Sequence, residues 1–156
     1  MSTIQSSTIA LVDDEFYEQI SQHSWSLGDK GYALRQPKIN GRQRKIYMHK
    51  VIMGGISDNH IDHINGNRLD NRKENLRVVT NQQNCFNRGT YTKVKGKAPD
   101  APYKGVTRHL NRWRANIGFN GRRIHIGVYS TQEEAARAYN EAALKYFGEY
   151  ARLNVV

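Results

Sequence analysis

The chain has 156 residues, 24 of them Lys or Arg and 14 Asp or Glu, for a formal charge of +10 and a pI near 9.9. That excess points to a polyanion, nucleic acid or an anionic membrane surface, and a hydrophobic content of 38%, against about 45–50% in an ordinary globular chain, favours one or two small domains over one large core. The lone Cys85 excludes an internal disulfide and a Cys-x-x-Cys zinc site, and the early apolar run Ile9 to Val12 is too short for a signal core or a membrane span; the expectation is an intracellular, cytoplasmic protein that is not secreted.

From the N-terminus, Asp13, Asp14 and Glu15 put negative charge at the opening of a short helix whose Phe16 and Ile20 fall one turn apart. Trp25 and Gly31 to Arg35 read as strands, Asn40-Gly41 as a hairpin turn, and Arg44 to Met53 as the return strand or its continuation. Residues 60–87 are then dense in His, Asp and Asn, and Thr80-x-x-Gln83 has the spacing of a capping box just before Asn84.

Four readings compete for this cluster. A plain polar loop explains Asn65-Gly66 and Asp70-Asn71 by side-chain turns alone. A calcium loop starting at Asp62 fails, because Ile64 and Gly66 fall where oxygen ligands are needed. Structural zinc would have to use His49, His60 and His63 without thiolates. A phosphodiester-hydrolysing metal site needs oxygen ligands for a hard cation and a neutral histidine to take a proton from water, and adjacent Asp62 and His63 supply one of each. Their side chains diverge on a strand, so the pair works only at a strand end or turn, which Asn65-Gly66 permits.

Asp62-His63-Ile64-Asn65-Gly66-Asn67, Leu69-Asp70-Asn71, Asn75-Leu76-Arg77 and Asn84, with Met48-His49-Lys50 upstream, resemble the ββα-metal motif of HNH endonucleases, in the branch common among phage-encoded homing enzymes. The resemblance implies His63 as general base, Asp62 and Asn84 as holders of one divalent cation (Mg²⁺ or another such as Mn²⁺), and Asn75 as the residue that pins the loop. His60 and Arg77 become candidates for phosphate contact. The last ligand departs from many members, which have His where this chain has Asn84.

Residues 89–102, with two Pro, two Gly and three Lys, read as a linker between domains at 1–88 and 103–156. The charge is uneven: residues 1–89 carry a net +3, residues 90–127 a net +8 and residues 128–156 a net −1. After a short strand near Lys104 to Arg108, Arg112 to Phe119 and Arg122 to Tyr129 alternate around the Asn120-Gly121 turn. Trp113, Ala115, Ile117, Phe119, Ile124, Ile126 and Val128 fall on one face, and Arg112, Arg114, Asn116, Arg123 and His125 on the other. Ser130-x-x-Glu133 reads as a capping box opening a helix that Gly148 ends, with Ala135, Ala138, Tyr139, Ala142, Ala143 and Tyr146 at helical spacing. A basic sheet face of this size suits a DNA major groove.

Tyr103-Lys104-Gly105-Val106, Arg112 to Ile117, Ile126 to Tyr129 and the run Thr131 to Ala143 resemble the AP-two domain of plant ethylene-response factors, in which a three-stranded sheet lies in the major groove. Candidate DNA contacts are Lys104, Arg108, Arg112, Arg114, Asn116, Arg122, Arg123 and His125. Thr107, Asn116, Gly118 and His125 replace residues usual in the plant proteins, so the target sequence is not inherited.

The fold expected is α+β: a ββα-metal nuclease domain, a linker, and a three-stranded antiparallel sheet packed on one helix. The function expected is a metal-dependent, site-specific endonuclease of homing type that nicks double-stranded DNA as a monomer, with no membrane and no obligate protein partner. The rival is a non-catalytic DNA-binding regulator with a decayed nuclease domain. Cys85 reads as a small helix residue, His49 as a structural hydrogen bonder, and His23 and His109 as surface residues.

Overall fold

In the computed structural model, which describes residues 9–55, 60–89 and 101–156, short helices and antiparallel strands follow one another along the chain, an α+β architecture. The expected linker lies outside these residues except for Gly89, Ala101 and Pro102. The chain divides into two compact units, Met1–Asn84 and Cys85–Val156. Among the described residues, no helix is long and apolar enough to cross a membrane.

The first unit begins with α1 (Asp14–Ser21), whose first turn carries Asp14 and Glu15 where the helix dipole favours negative charge. Strands β1 (Ser26–Leu27), β2 (Ala33–Arg35) and β5 (Ile46–Tyr47) form a small antiparallel sheet in the order β1-β2-β5. Between β2 and β5, strands β3 (Lys38–Ile39) and β4 (Arg42–Gln43) pair, among the described residues, only with each other. Met48–Ile52 is a helix, α2, where the sequence reading continued a strand. Met48, His49 and Ile52 are all buried, and Met48 and Ile52 pack with Ile20, Ala33, Ile61 and Leu76; burial of the adjacent pair Met48 and His49 fits a helix face and breaks strand alternation.

Strand β6 (His60–His63) pairs antiparallel with β7 (Leu76–Val79) in the register His60–Val79, Ile61–Val78, Asp62–Arg77, His63–Leu76. Helix α3 (Asn81–Phe86) follows at once. The Thr80–Gln83 box forms as its spacing predicts: the Gln83 amide donates to Thr80 Oγ1 at 3.2 Å, and the Thr80 amide to Gln83 Oε1 at 2.9 Å. The N-terminal segment clasps the β6–β7 connection, since the Leu11 amide donates to Leu69 O and Leu11 O accepts from the Asn71 amide, both at 2.8 Å.

The second unit is the antiparallel sheet β8 (Val106–His109), β9 (Arg112–Phe119) and β10 (Arg122–Tyr129), with α4 (Gln132–Phe147) against one face. Ala135, Ala136 and Ala143 are fully buried, so the helix backbone lies close to the strands, and Tyr139 and Phe147 fill the remaining core with Ile117. Gly105 shows how tight this is: at φ +77° it faces Tyr139, and an added Cβ would lie 2.1 Å from Tyr139 Cδ2. The cap falls one residue later than the Ser130 reading, with Thr131 as N-cap and Glu134 completing the box. Ser130 still contributes, its amide donating to Glu134 Oε2 at 3.1 Å. The register shift between His125 and Gly127 makes Ile126 a bulge. Alternation is reset there, so Val128 pairs with Arg114 on the outer face and Tyr129 joins Trp113 against the core, reversing the expected side of Val128.

Candidate active site and nucleic-acid interface

His63 is the last residue of β6 and the chain turns directly after it, the Gly66 amide donating to His63 O at 2.8 Å. The loop from 64 to 75 is a self-satisfied polar knot. Asn65 Oδ1 accepts from the Asn67 amide at 2.8 Å and Asn67 Oδ1 from the Leu69 amide at 3.1 Å, two successive side-chain turns. Asn75, buried at the loop's end, closes it. Its Nδ2 donates to Asn65 Oδ1 at 3.1 Å and Asp70 O at 2.8 Å, and its Oδ1 accepts from the Asn65 amide at 3.0 Å. Asp70, 2% exposed, is held by Arg72 through two bonds of 2.8 Å and by Asn65 Nδ2 at 2.8 Å. Those partners pull its carboxyl down to about 2.

The knot orients the histidine. Asn71, fully buried, donates from Nδ2 to Leu69 O at 3.1 Å, which turns its Oδ1 toward His63 Nε2 at 3.4 Å. An amide oxygen only accepts, so this contact favours the proton on Nε2 and leaves Nδ1 as the basic nitrogen. On its other sides His63 meets rings: His49 with centroids 5.1 Å apart in a T-shaped arrangement, and Tyr32 at 5.8 Å. Burial lowers the His63 pKa from its ordinary value, against the raising influence of Asn71 and Asp62, so the ring is neutral at neutral pH. His49 is pushed down to about 4, first by burial and then by His63 and Lys50. Its Nδ1 is buried with no hydrogen-bond partner among the described residues, so on that nitrogen it is not the hydrogen bonder the sequence suggested. It acts as a packing wall against His63.

Asp62, 8% exposed, points away from His63's ring along the strand, and its Oδ2 accepts from Arg77 Nε at 3.1 Å and Nη2 at 2.9 Å. Arg77 is thus ion-paired to the candidate ligand beside it. His60 lies exposed at the start of β6, and Asn84 half-buried in α3, its amide bonded to Thr80 O at 3.0 Å. Among the described residues no three of His, Cys, Asp and Glu cluster as metal ligands. The donors that the motif offers are one carboxylate and one amide oxygen. Such a hard and incomplete set fits a magnesium-like cation that keeps water and substrate phosphate in its shell.

In the second unit the structure gathers five of the eight candidate contacts on the sheet face away from α4. Arg112 and Arg114 lie on β9, where Asn116 faces His125 across the register and Arg123 faces Gly118. Asn116 Oδ1 is 3.4 Å from His125 Nδ1. Arg114 is partly buried, its Nη2 2.6 and 2.9 Å from the two ring nitrogens of His109, which makes His109 part of this face rather than a bystander. The other three lie elsewhere. Arg108 pairs with Trp113 and Arg122 with Phe119, on the register of the helix side. Lys104 turns inward, donating from Nζ to Phe86 O at 2.5 Å with its ammonium 6.0 Å from the Phe147 ring, and burial lowers it to about 8.

Comparison with known proteins agrees with both halves. A family model described as HNH endonuclease matches residues 43–85, and one described as AP2 domain matches residues 102–149. The Uncharacterized HNH endonuclease L560 of Acanthamoeba polyphaga mimivirus is 33% identical over 150 residues, 96% of this chain and 76% of that protein. The Ethylene-responsive transcription factor WRI1 of Arabidopsis thaliana is 38% identical over 87 residues, 53% of this chain and 18% of its own length. The AP2-like ethylene-responsive transcription factor CRL5 of Oryza sativa subsp. japonica is 48% identical over 56 residues, 33% of this chain and 9% of its own length. The chain thus spans only a small part of the plant factors but most of the viral protein, and with both units accounted for it belongs to the HNH endonuclease family and carries an AP2 domain.

Proposed function

We propose that the chain is a site-specific DNA endonuclease of homing type that nicks one strand of double-stranded DNA as a monomer. Residues 1–88 cleave and residues 103–156 select the site, acting in the cytoplasm on intracellular DNA. The observation that carries the reading is a buried, neutral His63 at the end of β6, oriented by Asn71 beside the acidic Asp62.

The chemistry follows from these groups. His63 Nδ1 takes a proton from water, and the oxygen attacks phosphorus in line with the departing 3′ oxygen. The P–O3′ bond breaks, and the departing 3′ oxygen takes a proton from solvent, leaving a 5′-phosphate and a 3′-hydroxyl. A divalent cation held by Asp62 and Asn84 would neutralise the charge that develops on the departing oxygen. His60, exposed on the same strand face as Asp62, and Arg77 would contact phosphates next to the scissile one. Arg112, Arg114, Asn116, Arg123 and His125 form the groove-reading face.

Nicking of supercoiled plasmid in Mg²⁺ tests the reading. His63→Ala and Asp62→Ala should each abolish it, by at least about 10³-fold for loss of a general base with its positioned water. DNA binding in EDTA should be unchanged. Wild-type protein that binds but never nicks, or a His63→Ala protein that still does, would leave the non-catalytic regulator as the correct account.

A further inference from the structure

We propose that the β3–β4 hairpin is a second DNA-binding element, a ribbon that enters a groove of duplex DNA and grips phosphates on both walls. The proposal deepens the nuclease reading above and rests on it for the identity of the duplex as substrate.

The net +3 of the first 89 residues conceals a polarised unit. Residues 1–29 hold five acidic residues and no Lys or Arg, whereas residues 30–57 hold seven Lys or Arg and no acidic residue. Four of the seven, Lys38, Arg42, Arg44 and Lys45, lie on or at the end of the hairpin, and all are exposed. Among the described residues none of the four takes part in an ion pair. A charge run of this kind is an ordinary solvated face when it is spread along a helix or interleaved with acids. Here it is neither.

The hairpin's form is as informative as its charge. Among the described residues it pairs with no other strand, every residue of both strands is exposed, and an isolated two-stranded ribbon is marginal in water. It is nonetheless well built: Asn40 at φ 49° and Gly41 at φ 76° make the tight turn whose twist matches antiparallel strands, and the Arg44 amide closes the base on Pro37 O at 3.0 Å. The register sets Lys38 opposite Gln43 on one face and Ile39 opposite Arg42 on the other. Cations therefore project from both faces of the ribbon. A groove, with phosphates on either side, meets that arrangement; a flat membrane surface would engage one face only. Ile39, 45% exposed among these cations, has the shape to meet a base edge or thymine methyl.

The ribbon also leads toward the catalytic histidine. It joins β2 to β5, and Lys45 then lines a cavity of about 130 Å³ with Asp29, Lys30, Tyr32 and Tyr47. Tyr32 is the residue whose ring packs on His63. A strand of DNA held by the ribbon is thus held by the link between β2, which begins just after Tyr32, and β5, whose Tyr47 packs on Tyr32, while the acidic residues 13–18 concentrate at α1.

The test uses the full chain, with binding to duplex DNA measured in EDTA from 50 to 200 mM salt and nicking measured separately in Mg²⁺. The triple variant Lys38→Ala, Arg42→Ala, Arg44→Ala should flatten the log–log salt slope by about 2.7, or about 0.9 for each phosphate released. The charge-retaining Lys38→Arg, Arg42→Lys, Arg44→Lys should restore it. Phosphate-ethylation interference should lose a discrete set of positions on both strands in the alanine variant. An unchanged slope overturns the ribbon, as does equal binding to phosphatidylserine vesicles abolished by the same variant. If wild type never nicks but the slope flattens, the ribbon stands and the nuclease reading falls; nicking with an unchanged slope gives the reverse.

Discussion

Replacing Asn75 with Ala removes three side-chain hydrogen bonds at once, to Asn65 Oδ1, to Asp70 O and from the Asn65 amide. The Asn65 residue is exposed, so water can take over its groups, but Asp70 is 2% exposed and its carbonyl loses its partner in a dry setting. At about 1 kcal/mol for each bond, with a further desolvation cost for the orphaned carbonyl, the loss comes to about 3–4 kcal/mol. In a unit of this size that lowers the melting temperature by roughly 15 °C or more. Asn75→Asp sharpens the argument. It keeps the acceptor for the Asn65 amide but sets a carboxylate against Asp70 O and Asn65 Oδ1, so it should cost as much as Ala or more.

The two tryptophans make the assay specific, since Trp25 lies in the first unit and Trp113 in the second. In a Trp113→Phe background, urea unfolding followed by Trp25 fluorescence reports the first unit alone. A loss under about 1 kcal/mol, or an Asp variant milder than Ala, would refute the idea that Asn75 holds the loop together.

Acid should destabilise the first unit through His49. Its folded pKa of about 4 lies below the unfolded 6.5, so the unfolded chain binds the extra proton; the stability is complete above pH 6.5 and is lost as pH falls toward 4. The shift corresponds to about 3 kcal/mol, and His49→Phe should remove most of this dependence in urea titrations at pH 7 and 4.5, whereas Asp70, with its carboxyl at about 2, contributes only below pH 4. In the second unit, Gly105→Ala should unfold the sheet–helix pair, costing about 4 kcal/mol or more, because the Cβ meets Tyr139 at 2.1 Å and Asn116 O at 2.6 Å on a backbone at φ +77°. Adding Tyr139→Ala should not rescue it, since the carbonyl clash and the positive φ remain; circular dichroism of the double variant checks this.

The second unit was the more legible because its information is local. Alternation, an Asn-Gly turn and a capping sequence each act over a few residues, and the differences in the elements themselves were small: a cap at Thr131 instead of Ser130, and a bulge at Ile126 that moved Val128 to the outer face. A bulge is chosen by how two strands meet a helix, which no single strand encodes. The first unit depends on contacts distant in sequence. That Met48 to Ile52 turns helical follows from a core shared with Ile20, Ala33 and Leu76. That His49 and Tyr32 wall His63 joins residues 14 and 31 positions away from it. The motif spacing named Asp62, His63 and Asn75 together; it could not name Asn71 as the group that turns the ring, because its side chain reads like any other in a polar loop.

Charge is handled in opposite ways at the two kinds of place where this chain would meet DNA. Around His63 it is cancelled: the ring is neutral, Asp70 is bound by Arg72, and Asp62 by Arg77. Along the hairpin, among the described residues, Lys38, Arg42, Arg44 and Lys45 enter no ion pair. The difference follows from what each must do. A proton acceptor works only while uncharged, and a buried carboxylate needs a counter-charge until a cation replaces it. A groove-binding ribbon works only while its charge is exposed. Arg77 stands at the junction of the two demands, because a phosphate arriving beside Asp62 competes for the same guanidinium. On that reading substrate and cation assist one another, the phosphate drawing Arg77 off the carboxylate that the cation needs. In the proposed mechanism the ion pair would be the resting form of a site that assembles on its substrate.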